Sequence, residues 1–176
     1  MDEFDAIEDS FAAYAKRLLE DADARYEALR GCSFFNPMPD AGVQRIADMV
    51  EIQTFYSDVC LTTQDDETQA FYVILHGAAE AFRNGKRVGV IGTGECIGEG
   101  IFFAEGGNTT SATVIADYKI IAATFSKDVV AKLQSDVDIM VSLDKALLLA
   151  LFKKLKGANQ KIAELLLLQS MRDQGD

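Results

Sequence analysis

The spacing of the apolar residues changes twice along this chain of 176 residues, and these changes limit its fold more than any other feature. From Phe4 to Ala22 apolar side chains recur every three or four residues, as on one face of a helix. Across Glu51–Phe125 the apolar runs are short and separated by glycines. Across Ser135–Met171 the helical spacing returns. The sequence therefore predicts helices, then strands, then helices.

Two helices are predicted before the strands. The first covers residues 4–30 and stops at Gly31, because glycine is typical of a helix C-terminus. The second covers Asp40–Val50, with Asp40 as its N-cap after a rigid stretch that contains Pro37 and Pro39.

A β-hairpin is the clearest local prediction in the middle zone. Asn84-Gly85 lies between two strand-like segments, and a type I′ turn needs two residues with positive φ, which Asn and Gly tolerate. The other predicted strands are Phe71–Leu75, Arg87–Ile91, Ser111–Ala116 and Ile120–Phe125. Several short strands at close spacing predict a compact antiparallel roll or barrel.

The last zone carries a long apolar stripe. Its members are Ile139, Leu143, Leu147, Leu151, Leu155, Ala158, Ile162 and Leu165. One helix of that length extends roughly 50 Å, which is more than so small a domain covers. We therefore expect a homodimer through this segment. The alternative is a pair of helices that break at Gly157 and fold back on each other.

The charge of the chain excludes some partners. A net charge of −11 argues against nucleic acid, whose phosphates require a basic face, and against an anionic membrane surface. From the acidic start no signal peptide is expected, and the apolar run Ala146–Phe152 is too short to span a bilayer. Cys32, Cys60 and Cys96 are odd in number and widely spaced, so we expect free thiols, mostly small core residues, in the cytoplasm.

The chain offers few groups for catalysis. Its one histidine, His76, precedes Gly77 after an apolar run and is expected in a turn. The acidic cluster 65–67 is interpreted as a solvated loop rather than a cation site. No enzymatic activity, catalytic residue, metal or cofactor is therefore expected.

The stretch Gly94–Val114 is rich in glycine and predicts tight turns with open amide groups. Within it, Gly98-Glu99-Gly100 is typical of a helical turn that begins at a glycine. The N–H groups at such a turn favour an anion. The spacing alone therefore indicates a candidate anion site.

Four segments stand in an order typical of one known family. They are Phe34-Phe35 before the Asp40–Val50 helix, Ala70-Phe-Tyr-Val-Ile-Leu-His-Gly77, Gly94-Glu-Cys-Ile-Gly98-Glu99 and Ser111-Ala-Thr-Val114. From about Leu29 to Leu165 the chain resembles the cyclic nucleotide-binding domain family, the sensor half of catabolite-activator-type regulators. The resemblance implies an α+β fold: an antiparallel β-roll (a double-stranded β-helix, or jelly roll) with N-terminal helices and a long C-terminal helix.

We divide the chain accordingly into three parts. Residues 1–31 are the N-terminal helical segment, residues 32–134 the cyclic-nucleotide-binding-like β-roll, and residues 135–176 the C-terminal helix, where dimerisation is expected. The family's DNA-binding regulators carry a helix-turn-helix domain, and none follows the long helix here, so no DNA binding is expected.

The resemblance also implies a ligand site. In the family a glutamate binds the ribose 2′-hydroxyl, and Glu99 matches it. Backbone amides after that glutamate hold the cyclic phosphate, and here these belong to Gly100 and Ile101, following Gly98. The base is often contacted by polar residues of the C-terminal helix, and Asn159 matches that turn.

One charge of that site is missing. The family's phosphate-binding arginine is replaced by Thr110, with about two extra residues near Gly106–Thr109. Loss of one partner of a buried charge pair costs about 2–5 kcal/mol. The hydroxyls of Thr109, Thr110 and Ser111 donate to phosphate without bringing charge.

Other departures from the family pattern concern the turns. The usual turn glycines of the roll are replaced by Asp58, Asp65 and Thr68. The cations Arg83, Lys86 and Arg87 flank the predicted hairpin. Either one of them reaches the pocket in place of the lost arginine, or all three are solvated.

Three functions follow from these features. The first is a regulatory sensor that binds a cyclic nucleotide weakly and signals through its C-terminal helix. The second is a degenerate module for dimerisation or protein interaction that no longer binds nucleotide. The third is a sensor of a different small ligand, for which Thr110 removes the need for an anion.

Overall fold

A computed structural model describes residues 3–103 and 109–173. The helices are α1 (Glu3–Glu20), α2 (Ala22–Arg30), α3 (Asp40–Ala47), α4 (Lys127–Gln134) and α5 (Val137–Asp173). The strands are β1 (Glu51–Tyr56), β2 (Cys60–Thr62), β3 (Ala70–His76), β4 (Ala78–Arg83), β5 (Lys86–Gly92), β6 (Cys96–Ile97), β7 (Thr113–Ala116) and β8 (Lys119–Ser126). Short 3-10 turns cover Ser33–Phe35 and Glu99–Phe102.

The strands form two antiparallel sheets of four. One has the order β1-β8-β3-β6 and the other β2-β7-β4-β5. Side chains from both sheets, among them Ile74, Ile97 and Val114, form one apolar cluster. The predicted α+β fold is therefore confirmed: a β-roll with helices before it and a long helix after it.

The central pair β3–β8 is buried on both faces. Ile74 and Ile120 lie in the cluster between the sheets. Phe71 and Phe125 point to the opposite side, where they lie in the cluster that includes helical residues, with ring centroids 5.2 Å apart. Burial on both faces explains why Phe71–Leu75 is an unbroken apolar run rather than an alternating one.

The N-terminal segment contains two helices, so the prediction of a single helix over residues 4–30 is wrong. The chain leaves the helical conformation at Asp21, which has φ −118° and ψ 113°. Its carboxylate accepts hydrogen bonds from the backbone N–H groups of Asp23 and Ala24 and so caps α2. Gly31 does follow the last helical residue, as expected.

The short helix before the strands is also corrected in detail. α3 ends at Ala47, earlier than the predicted Val50. Its N-cap is Pro39, and Asp40 is its first residue. The Asp40 carboxylate instead lies 3.1 Å from Nε of Arg30 and joins α3 to α2.

The hairpin prediction is confirmed. Asn84 and Gly85 both have positive φ, at 51° and 71°, as a type I′ turn requires. The turn joins β4 and β5, which pair along their length. The other predicted strands are also present, although β7 begins at Thr113 rather than Ser111.

The C-terminal zone consists of one long helix preceded by a short one that was not predicted. α4 begins after Ser126, whose hydroxyl accepts the N–H of Val129. α5 continues without interruption through Gly157, so the alternative of two helices broken there is wrong. Its first turns are buried through Ile139, Leu143 and Leu147.

Two of the three cysteines are buried, as expected of small core residues. Cys32 and Cys96 are nearly inaccessible, whereas Cys60 is exposed, so the prediction fails for Cys60. Burial raises the pKa of the Cys96 thiol to about 12. No helix in the part of the chain that the structure describes is long and apolar enough to cross a membrane.

Replacement of Gly98 by alanine is expected to lower the free energy of unfolding by about 2–4 kcal/mol. Gly98 has a φ of +79°, and a Cβ there would lie 2.3 Å from the carbonyl oxygen of Ala70. Gly89→Ala is the matched control, because a Cβ at Gly89 meets nothing within 4 Å. Urea denaturation followed by circular dichroism measures both. Equal stability of the two variants would contradict the close approach at Gly98.

Candidate functional site

A cavity of about 1070 Å³ lies between the roll and α5. Its lining includes residues 88–91 of β5, residues 97–100 from the end of β6 into the turn that follows, residues 109–112 before β7, and part of α5 between residues 151 and 161. Most of the residues expected at the ligand site line this one cavity: Gly98, Glu99, Gly100, Thr109, Thr110 and Ser111. The loop residues 106–108 lie outside the described residues.

The turn at Gly98 positions Glu99. The left-handed Gly98 ends β6 and begins the 3-10 turn in which Glu99 is the first residue. The N–H of Ile101 donates to the Gly98 carbonyl at 3.1 Å, so this amide is already used within the turn. The Ile101 side chain does not line the cavity and lies in the core cluster beneath it.

Glu99 forms an ion pair with α5. Nζ of Lys154 lies 2.8 Å from Oε1 of Glu99 and donates to the carbonyl of Cys96 at 2.9 Å. The Glu99 side chain is 21% exposed and that of Lys154 is 37% exposed. The carboxylate expected to bind a ribose hydroxyl is therefore paired with a cation of the helix that covers the cavity.

A second ion pair lies beside the first. Nζ of Lys153 lies 2.9 Å from Oε1 of Glu95, whose other oxygen accepts the N–H of Gly92 at 2.9 Å. Partial burial raises the pKa of Glu95, but the Gly92 hydrogen bond and Lys153 outweigh it and bring the pKa below its usual value. Further along α5, Nζ of Lys161 donates to the Val88 carbonyl at 2.8 Å.

Thr110, at the arginine position, is part of a turn. Its side chain is buried, and its hydroxyl donates to the carbonyl of Thr63 and, at 3.4 Å, to that of Asp66. The Thr110 N–H also donates to Asp66 at 2.8 Å, and its carbonyl accepts from Asp65 at 2.9 Å. The hydroxyl thus stabilises the 63–66 turn rather than pointing a donor at a phosphate.

The neighbours of Thr110 also form contacts within the roll. Thr109 pairs with Glu67 in an isolated β-bridge, and the Ser111 carbonyl accepts from Arg83 at 2.6 Å. Arg87 forms an ion pair with Glu80 at 2.5 Å. None of the three hairpin cations is among the described residues that line the cavity, so the structure does not place one of them in the lost arginine's position.

Asn159 is not brought to the cavity. It does not line the space, whereas Lys154, Gln160 and Lys161 do. Five residues turn a helix by roughly 140° beyond one full turn, so Asn159 lies away from the face that carries Lys154. Asn159 is exposed on another side of α5.

The sequence did not predict two features of the cavity. One is the group of lysines of α5, although the segment Phe152-Lys-Lys-Leu-Lys-Gly157 is visibly basic. The other is Thr68, which lines the cavity and is 1% exposed. Its hydroxyl has no hydrogen-bond partner among the described residues.

The resemblance implies three turn glycines, and other residues stand at all three positions. At two of them the residue adopts the left-handed backbone conformation that glycine favours. Asp58 and Asp65 have φ of 67° and 66°. Aspartate tolerates this region better than most residues, because its side chain bonds locally. Thr68 is not among the described positive-φ residues.

The one histidine has a packing role. His76 lies at the end of β3, with its ring 5.6 Å from that of Phe11 and 6.3 Å from that of Tyr14. Glu67 of the acidic cluster is paired with Lys127 at 2.6 Å, and this hydrogen bond lowers its pKa. Among residues 3–103 and 109–173 no group of His, Cys, Asp or Glu is arranged to hold a metal ion.

Comparison with solved structures shows the same fold in other proteins, of which three are described. A cyclic nucleotide-binding domain from Methylobacillus flagellatus is 19% identical, with 81% of this chain and 85% of that chain covered and a TM-score of 0.69. The regulatory domain of Toxoplasma gondii protein kinase A with cAMP is 20% identical, with 71% and 49% covered and a TM-score of 0.57.

The third is the regulatory subunit of a cAMP-independent protein kinase A from Trypanosoma cruzi, bound to guanosine. It is 22% identical, with 65% of this chain and 41% of that chain covered and a TM-score of 0.53. At these identities the likeness concerns the fold. No curated protein matches the chain.

The sequence profile of the cyclic nucleotide-binding domain matches residues 52–136. This segment runs from β1 to α4 and includes the Gly98 turn, Glu99 and Thr110. Residues 52–136 thus form a domain of the cyclic nucleotide-binding family, and the resemblance inferred from the sequence is confirmed.

Proposed function

We propose that this chain is a regulatory domain that binds a cyclic nucleotide, weakly, in the cavity beside Glu99. The observation that carries the proposal is the position of Glu99: it opens the 3-10 turn that follows the left-handed Gly98, on the wall of a cavity large enough for a nucleotide. A carboxylate there accepts hydrogen bonds from a ligand hydroxyl. In the Toxoplasma gondii neighbour the ligand is cAMP.

Weak affinity is expected because the roll offers no cation at Thr110. Removing such a partner costs about 2–5 kcal/mol, and about 1.4 kcal/mol is a factor of ten in affinity. The Thr110 hydroxyl, already bonded to backbone carbonyls, does not recover the loss. A site of micromolar affinity that loses this much is expected to bind with a dissociation constant between about 30 μM and about 4 mM.

The chain is proposed to act by binding rather than by catalysis, with α5 as the signalling element. The Lys154–Glu99 pair joins the ligand site to α5. A ligand hydroxyl that takes Glu99 competes with Lys154, so the bound and free states favour different positions of the helix. Such a ligand shifts the population between the two positions by its difference in affinity for them.

The exposed side of α5 is proposed to bind a second copy of the chain. Leu148, Phe152, Leu155, Asn159, Ile162 and Leu166 recur at alternating spacings of four and three and are all exposed. This is the heptad pattern of a two-stranded coiled coil, and a second copy offers the same seam. Asn159 is its one polar member, and a single polar core residue fixes the register of such a pair.

A different ligand is the second candidate. The neighbour from Trypanosoma cruzi is cAMP-independent and holds guanosine, an uncharged nucleoside. A site with Thr110 instead of arginine fits such a ligand. If neither nucleotide nor nucleoside binds, the chain is the degenerate interaction module, and the α5 seam is its working surface. A cytoplasmic location remains a prediction from the sequence.

Calorimetric titration of the full chain with cyclic AMP and with 2′-deoxy cyclic AMP tests the role of Glu99. Loss of one hydrogen bond to a charged group is expected to weaken the deoxy ligand by about tenfold. Glu99→Ala should remove this preference, whereas the exposed Glu27→Ala, on α2, should retain it. Equal affinities in the unaltered protein would contradict the assigned role, and no heat at millimolar ligand would contradict nucleotide binding itself.

Light scattering during size-exclusion chromatography tests the dimer. Ile162→Glu is expected to give a monomer at micromolar concentration, because it places like charges opposite each other in the seam. Leu168→Glu is the matched control: Leu168 is 57% exposed against 54% for Ile162 and lies roughly 120° around the helix from it. A dimer that persists in Ile162→Glu, or that both variants lose, would contradict this seam.

A further inference from the structure

The cavity is a basic region of an acidic protein. The chain has a net charge of −11. The charged side chains among the described lining residues are Lys153, Lys154, Lys156, Lys161, Glu95 and Glu99. Four positive and two negative charges leave a net of +2, so the space favours an anion although the molecule as a whole does not.

The cations of the cavity all come from α5. Lys154 reaches the wall formed by Cys96 and Glu99, and Lys161 reaches β5 at the Val88 carbonyl. The Val88 carbonyl is an uncharged acceptor, so this contact leaves the charge of Lys161 unneutralised. The two lysines therefore attach α5 to the cavity wall at two points, about seven residues or two helical turns apart.

The space between these two attachments is open. Gly157 lines the cavity between Lys154 and Lys161, and a Cβ placed there would meet nothing within 4 Å. α5 is thus held away from the roll by its lysines rather than packed against it. A ligand in the cavity would have room beside Gly157, with one ammonium group toward each end.

A buried donor also lacks a partner in this space. The Thr68 hydroxyl is inaccessible and has no hydrogen-bond partner within the described ranges. Burial of a polar group without a partner is unfavourable, and such groups are normally satisfied. Because the hydroxyl is inaccessible from the cavity, a ligand there does not bond it, and the anion site depends on the lysines.

We infer that the cavity is a site for an anionic ligand whose charge is neutralised by Lys154 and Lys161 of α5, in place of the arginine that the roll lacks. The inference rests on the proposed function and names the charge requirement of the same site. Because the cations belong to α5, an anion attaches the helix to the roll more firmly. A neutral ligand does not do this.

The test compares cyclic AMP with adenosine, which lacks the phosphate, by calorimetry on the full chain. Cyclic AMP is expected to bind at least about tenfold more tightly than adenosine, with a preference that shrinks as salt is added. The double variant Lys154→Gln/Lys161→Gln should reduce the ratio to about one. The control Lys132→Gln/Lys145→Gln removes the same charge from exposed helical positions outside the cavity and should retain the ratio.

The outcomes separate this inference from the proposed function. Equal binding of cyclic AMP and adenosine, or a preference that survives Lys154→Gln/Lys161→Gln, overturns the anion site and leaves nucleotide binding in place. If neither binds, inorganic pyrophosphate is titrated and the amide NMR signals of residues 98–100 are followed. Shifts that depend on the two lysines support the anion site while nucleotide binding fails, and their absence overturns both.

Discussion

The pairing of β3 with β8 is the contact on which the rest of the structure depends. These strands lie side by side within one sheet, and each is buried on both faces. One face of β3 packs against the second sheet through Ile74, and the other packs beneath the helices through Phe71. β6 pairs with the remaining edge of β3, and the Gly98 turn follows β6 directly. The place of Glu99 is therefore set by a strand pair that contributes no side chain to the site's chemistry.

Local patterns predicted five of the eight strands in the described residues, all but β1, β2 and β6. Contacts between distant elements decided what the sequence did not show. Asn84-Gly85 specifies its turn by itself, because both residues accept positive φ. The break at Asp21 is different, since the apolar spacing continues across it. Arg25 donates to the carbonyls of Leu18 and Leu19 at the end of α1 and, across the fold, to Ala47. Because these contacts include one between residues far apart in the sequence, no local sequence pattern shows them together.

The same holds for the candidate site: the part that a local motif determines was predicted, and the part that depends on distant contacts was not. Gly98 and Glu99 belong to one compact motif, so the sequence predicts their relation to the cavity. The contribution of α5 depends on which face of a helix turns inward, and each residue rotates that face by roughly 100°. The sequence analysis therefore named Asn159, which is one or two positions away from Gln160 and Lys161, the residues that line the cavity. The sequence contains the lysines, but it does not show that they face the cavity.

Moving the counter-charge from the roll to α5 changes what the proposed site does. A cation on the roll strengthens ligand binding whatever the helix does, whereas a cation on α5 acts only when the helix is in place. Affinity and helix position then become linked, and each must favour the other to the same extent. Lys154 is more than a third exposed, so solvent screens it and its contribution to affinity is modest. The arrangement therefore gives weaker binding than a buried arginine would, together with a direct electrostatic link between an anionic ligand and the helix proposed to form the dimer.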